Sequence, residues 1–192
     1  MAKQLALKTP AEKIVFEHRL PSESVSYVNI ADCYSKEHDR VIAAYMDDNK
    51  VLHIAADGKI YLPYSGAYLF SNFAKLKEIS FTKHVDFSLL HNAYQMFGGN
   101  KAMTTIDLSG LDFSRVISTE WMFAECTNMQ KIILPDLSSG TVVSTSNMFK
   151  DCKNLTEIIG LDKFNTSKVI DFSFMFSGCS KLANIDVSKF NT

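Results

Sequence analysis

The chain has 192 residues, of which 46% are hydrophobic and 21% charged, and its formal net charge is −1. These values are typical of a folded protein and exclude a disordered tail, a collagen and a bundle of membrane helices. The near-zero charge does not favour a nucleic-acid or anionic-membrane binder, which would carry a basic excess. No apolar run approaches the length of a membrane helix. The unusual feature is the 14 Phe and 8 Met beside a single Trp.

Residues 1–66 lack internal repetition, and we expect them to form a β-rich cap. Thr9 and Pro10 have the form of a helix start and predict a helix that continues to about residue 20. The alternation of Ile14 and Phe16 favours a strand as the competing interpretation. Apolar stretches at 41–45, 51–55 and 60–62, separated by turn residues, predict a three-strand meander in which His53 faces the surface.

Residues 67–192 contain about five units of 26–27 residues, aligned on an apolar pair that reads Met-Phe in four of them. The Phe residues of this pair are Phe70, Phe97, Phe123, Phe149 and Phe176. Each unit also carries a segment of the form L-x-x-I-x-L, which alternates in the manner of a half-buried strand. Because one unit cannot bury its own apolar faces, we predict that the units stack, with the Met-Phe pairs as a buried spine.

A second column, which we call the small-residue column because most of its members are small, lies three positions after each of these Phe residues. Its members are Phe73, Asn100, Cys126, Cys152 and Cys179. Free buried thiols are the favoured interpretation, because Phe and Asn occupy the same position and no CxxC or neighbouring His suggests a metal. A disulfide between adjacent units is the alternative, since neighbouring strands lie about 4.8 Å apart. Cys33 stands alone and is expected to be a free thiol.

The last two units carry a more specific resemblance. The segments 164–179 and 182–188 read FNTSKVIDFSFMFSGC and LANIDVS. They resemble the BspA-type leucine-rich-repeat surface proteins, whose repeat is roughly F-x-T-S-x-V-x-x-M-S-x-M-F-x-x-C-x-x-L-x-x-I-D-L-S. The likeness covers about residues 67–192 and is weaker at Leu69-Phe70 and at 141–147. It implies a bacterial cell-surface or secreted location and a role in adhesion, with no catalysis.

Together these observations predict a leucine-rich-repeat-like solenoid, with one short parallel strand plus turns or short helical segments in each 26–27-residue unit. The predicted division is an N-terminal cap at residues 1–66 and about five repeats at residues 67–192. The sequence stops at Phe190-Asn191-Thr192, in the middle of a unit. This favours a fragment of a longer protein.

No catalytic, dinucleotide-binding or metal-binding motif occurs, so we expect a non-enzymatic protein without catalytic, cofactor-binding or metal-binding residues. The candidate binding face is the side of the strands that points away from the core. Its members are Glu78, Thr105, Asp107, Lys131, Ile133, Glu157, Ile159, Asn184 and Asp186. Ile133 and Ile159 would form its apolar centre. The alternative interpretation is a solvated surface without a ligand.

The expected function is therefore a recognition or adhesion module at the cell surface, which binds a protein or a glycan through this strand face. Neither nucleic acid nor direct membrane insertion is expected. Two other functions stay open: a structural stalk that displays another domain, and a substrate-selecting repeat region of a larger enzyme or effector.

Overall fold

The computed structural model describes residues 10–22, 28–29 and 42–191. The predictions made for Thr9, Cys33 and residue 41 lie outside these ranges. Within them the chain forms three β-sheets joined by tight turns, with very little helix. No helix in the described ranges has the length and apolar character needed to cross a bilayer.

The largest sheet combines strands from both predicted regions. Its members are β1 (Lys13–Glu17), β2 (Val28–Asn29), β3 (Ala43–Met46), β4 (Val51–Ala55) and β6 (Glu78–Ser80), in the order β2-β3-β4-β1-β6. β1 runs parallel to both β4 and β6, whereas β2–β3 and β3–β4 are antiparallel. The sheet is therefore mixed, and β1 joins the N-terminal strands to the first repeat strand.

The predicted helix after Pro10 is wrong, because this segment forms β1. Ile14 and Phe16 are buried, while Lys13, Val15 and Glu17 are half-buried, which gives a burial period of two residues. Parallel strands lie on both sides of β1 and supply the backbone hydrogen bonds that a helix would otherwise make internally. The strand alternative is thus the correct one.

The predicted meander is half right. The β3–β4 hairpin turns at Asp47, whose Oδ1 accepts hydrogen bonds from the backbone N–H groups of Asn49 and Val51, both at 2.9 Å. The third strand, β5 (Ile60–Tyr61), does not join this hairpin. It pairs in parallel with β7 (Val85–Asp86) to form a separate two-stranded sheet.

The third sheet is parallel and contains strands of successive units, β8 (Thr105–Asp107), β9 (Lys131–Ile133) and β10 (Glu157–Ile159). Their central isoleucines are register partners, as are the residues on either side. A 3₁₀ helix of three residues, Leu161–Lys163, follows β10 after the left-handed Gly160.

These observations correct the predicted fold class. The described residues form a sheet-rich domain of mixed and parallel sheets, and not a leucine-rich-repeat-like solenoid with a β-rich cap. The predicted repeat strands do not form one continuous sheet: β6 pairs with β1, and residues 184–186 are not in a strand. The physical reason is that β1 offers a free parallel edge with an alternating apolar face, so β6 takes it in place of β8.

The predicted aromatic spine is confirmed within this different fold. Consecutive Phe rings of the Met-Phe pairs stack with centroid separations of 5.7, 5.6, 5.7 and 5.5 Å and nearly parallel planes. The backbone of neighbouring units is also hydrogen-bonded at these Phe residues. The N–H groups of Phe70, Phe97, Phe123 and Phe149 each donate to the carbonyl of the Met in the next unit, at 2.9 Å. The 26–27-residue period is therefore present in the packing of this segment.

The small-residue column hydrogen-bonds neighbouring units together. The thiols of Cys126, Cys152 and Cys179 donate to the carbonyls of Phe97, Phe123 and Phe149 at 3.2, 3.1 and 3.0 Å. These three cysteines are free, and the first two are fully buried, which confirms the thiol prediction for them. Burial raises the pKa of Cys126 to about 12 and that of the half-buried Cys179 to about 11.

Candidate functional site

The predicted strand face is distributed over two sheets and one irregular segment. Glu78 lies on β6, whereas Thr105, Lys131 and Glu157 are register partners in the parallel sheet. The same register aligns Asp107 with Ile133 and Ile159. Asn184 and Asp186 are exposed and lie beyond β10, where a cavity of about 150 Å³ separates them from that strand.

A groove lies where β6 and β8 are adjacent without pairing. It has a volume of about 300 Å³, and its walls are formed by the two strands with β9 behind them. Five of the nine predicted residues line it: Glu78, Thr105, Asp107, Lys131 and Ile133. The structure therefore brings together the predicted residues of three strands at one concave place.

A second cavity of about 820 Å³ shares Ile79 and Asp107 with this groove. It lies past the ends of β6 and β8, among the turns that follow them, and Lys59, Asp86 and Asp112 contribute to its walls. Because the two cavities share residues, they form one extended depression along the seam between the sheets.

Ion pairs fix the charged side chains around the groove. Lys13 Nζ lies 2.7 Å from Glu78 Oε1, and Lys131 Nζ lies 2.9 Å from Glu157 Oε2. The hydrogen bond from Lys13 is the main reason that the pKa of Glu78 is below its ordinary value. The pKa of Asp107 is lowered mainly because its carboxylate accepts the backbone N–H of Ser109. Both carboxylates are thus ionised at neutral pH.

The apolar centre predicted for this face is only partly exposed. Ile159 is 40% exposed, while its register partner Ile133 is half-buried at the groove wall. Lys131 and Glu157 stand two residues before them on the same strands and form an ion pair beside them. The arrangement is a small apolar patch with a charged edge, as in the core and rim of many protein interfaces.

His53 is placed differently from the prediction. Its side chain is only 17% exposed, and its ring stacks on Tyr45 at a centroid distance of 4.6 Å. Nδ1 lies 2.6 Å from Glu17 Oε1 and Nε2 lies 3.4 Å from Asp47 Oδ2. The network joins β1, β3 and β4, so we interpret it as a structural link across the sheet. Across the described ranges, no three His, Cys, Asp or Glu side chains are grouped to hold a metal ion.

Sequence reasoning missed a second exposed surface, which lies before the Met-Phe pairs. Tyr64, His91, Ile117, Val143 and Ile170 form a column in which each N–H donates to the carbonyl of the preceding member, at 2.8–2.9 Å. Tyr64, Ile117 and Ile170 are 61%, 45% and 83% exposed. The available signal was the 26–27-residue spacing of this position, which is aromatic or aliphatic in four of the five units, but the same spacing in the core obscured it.

The comparisons with known proteins identify a family and no function. No curated protein and no solved structure matches this chain significantly. The family described as "Mycoplasma protein of unknown function, DUF285" matches residues 67–156 and again residues 88–192. The two matches together span the whole predicted repeat region and about two thirds of the chain. The chain belongs to the DUF285 family.

Proposed function

We propose that this protein is a non-enzymatic recognition module that binds a protein partner at the strand face around the β6–β8 groove. We further propose that its repeats are related to those of BspA-type surface proteins, and that it acts in adhesion at the cell surface. Membership of the DUF285 family is compatible with this relationship between the repeats. It gives no support to the adhesion role, because the family has no described function.

The single observation that carries the proposal is the convergence of Glu78, Thr105, Asp107, Lys131 and Ile133 on one groove. Four of these side chains are polar, and together they offer carboxylate, hydroxyl and ammonium groups within a cavity. Binding sites are concave and contain a few polar groups of this kind, which fix the orientation of a ligand.

The outer part of the face favours a protein over a small ligand. Ile159 extends the apolar area beyond the groove, and the Lys131–Glu157 ion pair forms its polar edge. An apolar centre with charged residues only at its edge allows a partner to exclude water from the isoleucines. We expect these isoleucines to supply most of the binding energy.

A pair of matched substitutions tests this assignment. Ile159→Asp places a charge on the strand face, whereas Ile117→Asp places one at a similarly exposed isoleucine on the other surface. The wild-type chain and both variants would be applied to immobilised extracellular matrix proteins and to intact host cells, with binding measured as a function of concentration.

We expect Ile159→Asp to weaken binding at least tenfold, because a carboxylate in an apolar interface core must lose its hydration. Ile117→Asp should leave binding unchanged, and circular dichroism should show both variants folded. Equal binding by wild type and Ile159→Asp would contradict the proposal. If Ile117→Asp weakened binding and Ile159→Asp did not, the binding surface would be the one that contains Ile117.

A further inference from the structure

A column of residues in the left-handed backbone region follows the members of the second surface by four residues in each unit. Its members are Tyr68, Gln95, Trp121, Asn147 and Phe174, with φ values of 61°, 47°, 57°, 57° and 57°. We call this set the platform column. Along the stack its side chains alternate between aromatic and amide: Tyr, Gln, Trp, Asn and Phe.

The aromatic residues of the platform column oppose the preference of the backbone. Positive φ is costly for residues with bulky side chains, and Gly, Asn and Asp are the usual occupants. A second left-handed column, four residues later, follows that rule with Asn72, Gly99, Asp151 and Gly178, and departs from it only at Glu125. Stability alone therefore does not account for Tyr, Trp and Phe in the platform column.

Burial does not account for the rings either. Phe174 is 67% exposed and Tyr68 is 37% exposed, while Trp121 is half-buried. The ammonium of Lys150 lies 4.9 Å from the ring centroid of Trp121 and 5.6 Å from that of Phe174, so these two rings share one side of the molecule. Tyr68 packs edge-on against Tyr94 at 5.3 Å. Strained backbone that carries exposed side chains points to a ligand-binding role.

The backbone of this column is hydrogen-bonded from Tyr68 to Asn147 and leaves no edge for a peptide strand there. The N–H groups of all but the last member donate to the carbonyl of the following unit, at 2.8–3.1 Å for Tyr68, Gln95, Trp121 and Asn147. β-Augmentation needs unpaired backbone groups at a sheet edge, so the face from Tyr68 to Asn147 cannot bind a peptide by that route. The side chains are then the groups that contact a ligand.

We infer that the platform column binds an extended, β-linked, uncharged polysaccharide that lies along the stacking direction. Lys150 Nζ lies 4.9 Å from the ring centroid of Trp121 and 5.6 Å from that of Phe174, so these two rings are no more than about 10.5 Å apart. That limit is close to the length of one disaccharide of an extended β-linked glycan. Every second sugar then stacks its C–H face on a ring, while Gln95 and Asn147 hydrogen-bond the hydroxyl groups of the sugars between.

Charge complementarity favours a neutral ligand. The five side chains of the platform column include no Asp, Glu, Lys, Arg or His, and the ammonium of Lys150 lies over two of the rings. Aromatic rings and amides together match the mixed apolar and hydroxyl surface of a neutral sugar. This site shares no residue with the strand face, so it does not depend on the function proposed above.

The position of Trp121 provides a direct assay, because it is the only Trp in the chain. Cellohexaose and chitohexaose would be titrated into the full chain while the emission of Trp121 is followed, with the α-linked maltohexaose as a control probe. We expect saturable changes with one or both β-linked hexasaccharides, weaker binding of cellobiose, and no change with maltohexaose. The dependence on length follows because a disaccharide reaches only one ring.

Three substitutions then locate the site. Tyr68→Asn and Phe174→Asn should each weaken hexasaccharide binding about fivefold, and Ile159→Asn on the strand face should leave it unchanged. Thermal melts should show the first two variants at least as stable as wild type, so a loss of binding reports the ring and not misfolding. Absence of binding by both β-linked probes, or binding that neither ring substitution weakens, would overturn the inference. The inference would also be overturned if an apolar peptide changed the emission of Trp121 and neither hexasaccharide did.

Discussion

Asn100 provides the sharpest test of how the units are held together. It occupies the cysteine column and is fully buried. Its Nδ2 donates to the carbonyls of Phe70 and Phe97 at 2.7 and 2.8 Å, and its Oδ1 accepts the N–H of Phe73 at 3.0 Å. One amide side chain thus satisfies backbone groups of two units in an apolar interior.

Asn100→Leu keeps the approximate volume and removes all three hydrogen bonds. The Phe97 carbonyl keeps the Cys126 thiol as a donor, but the Phe70 carbonyl and the Phe73 N–H lose the partner that Asn100 gives them. Each orphaned buried group costs about 1–3 kcal/mol, so two cost about 4 kcal/mol. Added apolar burial returns about 1 kcal/mol. We expect the free energy of unfolding to fall by about 3 kcal/mol.

Asn100→Cys is the matched control, because later units use cysteine at this position. A thiol can donate to the Phe70 carbonyl as Cys126 does to that of Phe97, but it leaves the Phe73 N–H without the Asn100 acceptor, so the loss should be about 2 kcal/mol. Urea unfolding, followed by the fluorescence of Trp121, measures both changes. The reasoning is refuted if Asn100→Leu is within 1 kcal/mol of wild type, or if the cysteine variant is destabilised equally.

Three further outcomes are expected. Phe174→Asn should stabilise the protein by about 0.5 kcal/mol in urea unfolding, since Asn tolerates a positive φ better; a clear loss would contradict this. Burial raises the pKa of Cys152, so at pH 8 iodoacetamide should alkylate it about 100-fold more slowly in the folded protein than in urea, as measured by mass spectrometry. Lys13 lowers the pKa of Glu78 in the folded protein. The stabilisation from this pair is therefore present above about pH 4.5, and it is lost as the pH falls through the lowered pKa of Glu78. Glu78→Gln should therefore show a smaller loss of Tm between about pH 5 and pH 3 than wild type.

The repeat arithmetic predicted the interior well. The Phe spine and the buried thiols follow from sequence alone, because residues that recur at one spacing in successive units must share one environment. The thiol-to-carbonyl bonds could not be predicted, since they depend on the direction in which each Cys side chain points. Asn100 is the clue in the sequence, because an amide at a buried position requires partners.

The candidate site was predicted only in part. Alternation along each strand is a local property, so the outward positions of Thr105, Lys131 and Glu157 could be predicted from the sequence. The groove could not, because it exists only where β6 leaves the parallel sheet to pair with β1. The left-handed platform column was also invisible, since Tyr68, Trp121 and Phe174 are residues that rarely adopt positive φ.

By itself the sequence determined the 26–27-residue period, the identity of the core residues and the near-neutral charge. Only the tertiary structure decided which strands share a sheet. The physical reason is that the alternation in β1 specifies a face and not a partner, and both β4 and β6 offered parallel edges of matching register. That choice places the first repeat strand in a mixed sheet and opens the groove beside β8, at which the binding face is proposed.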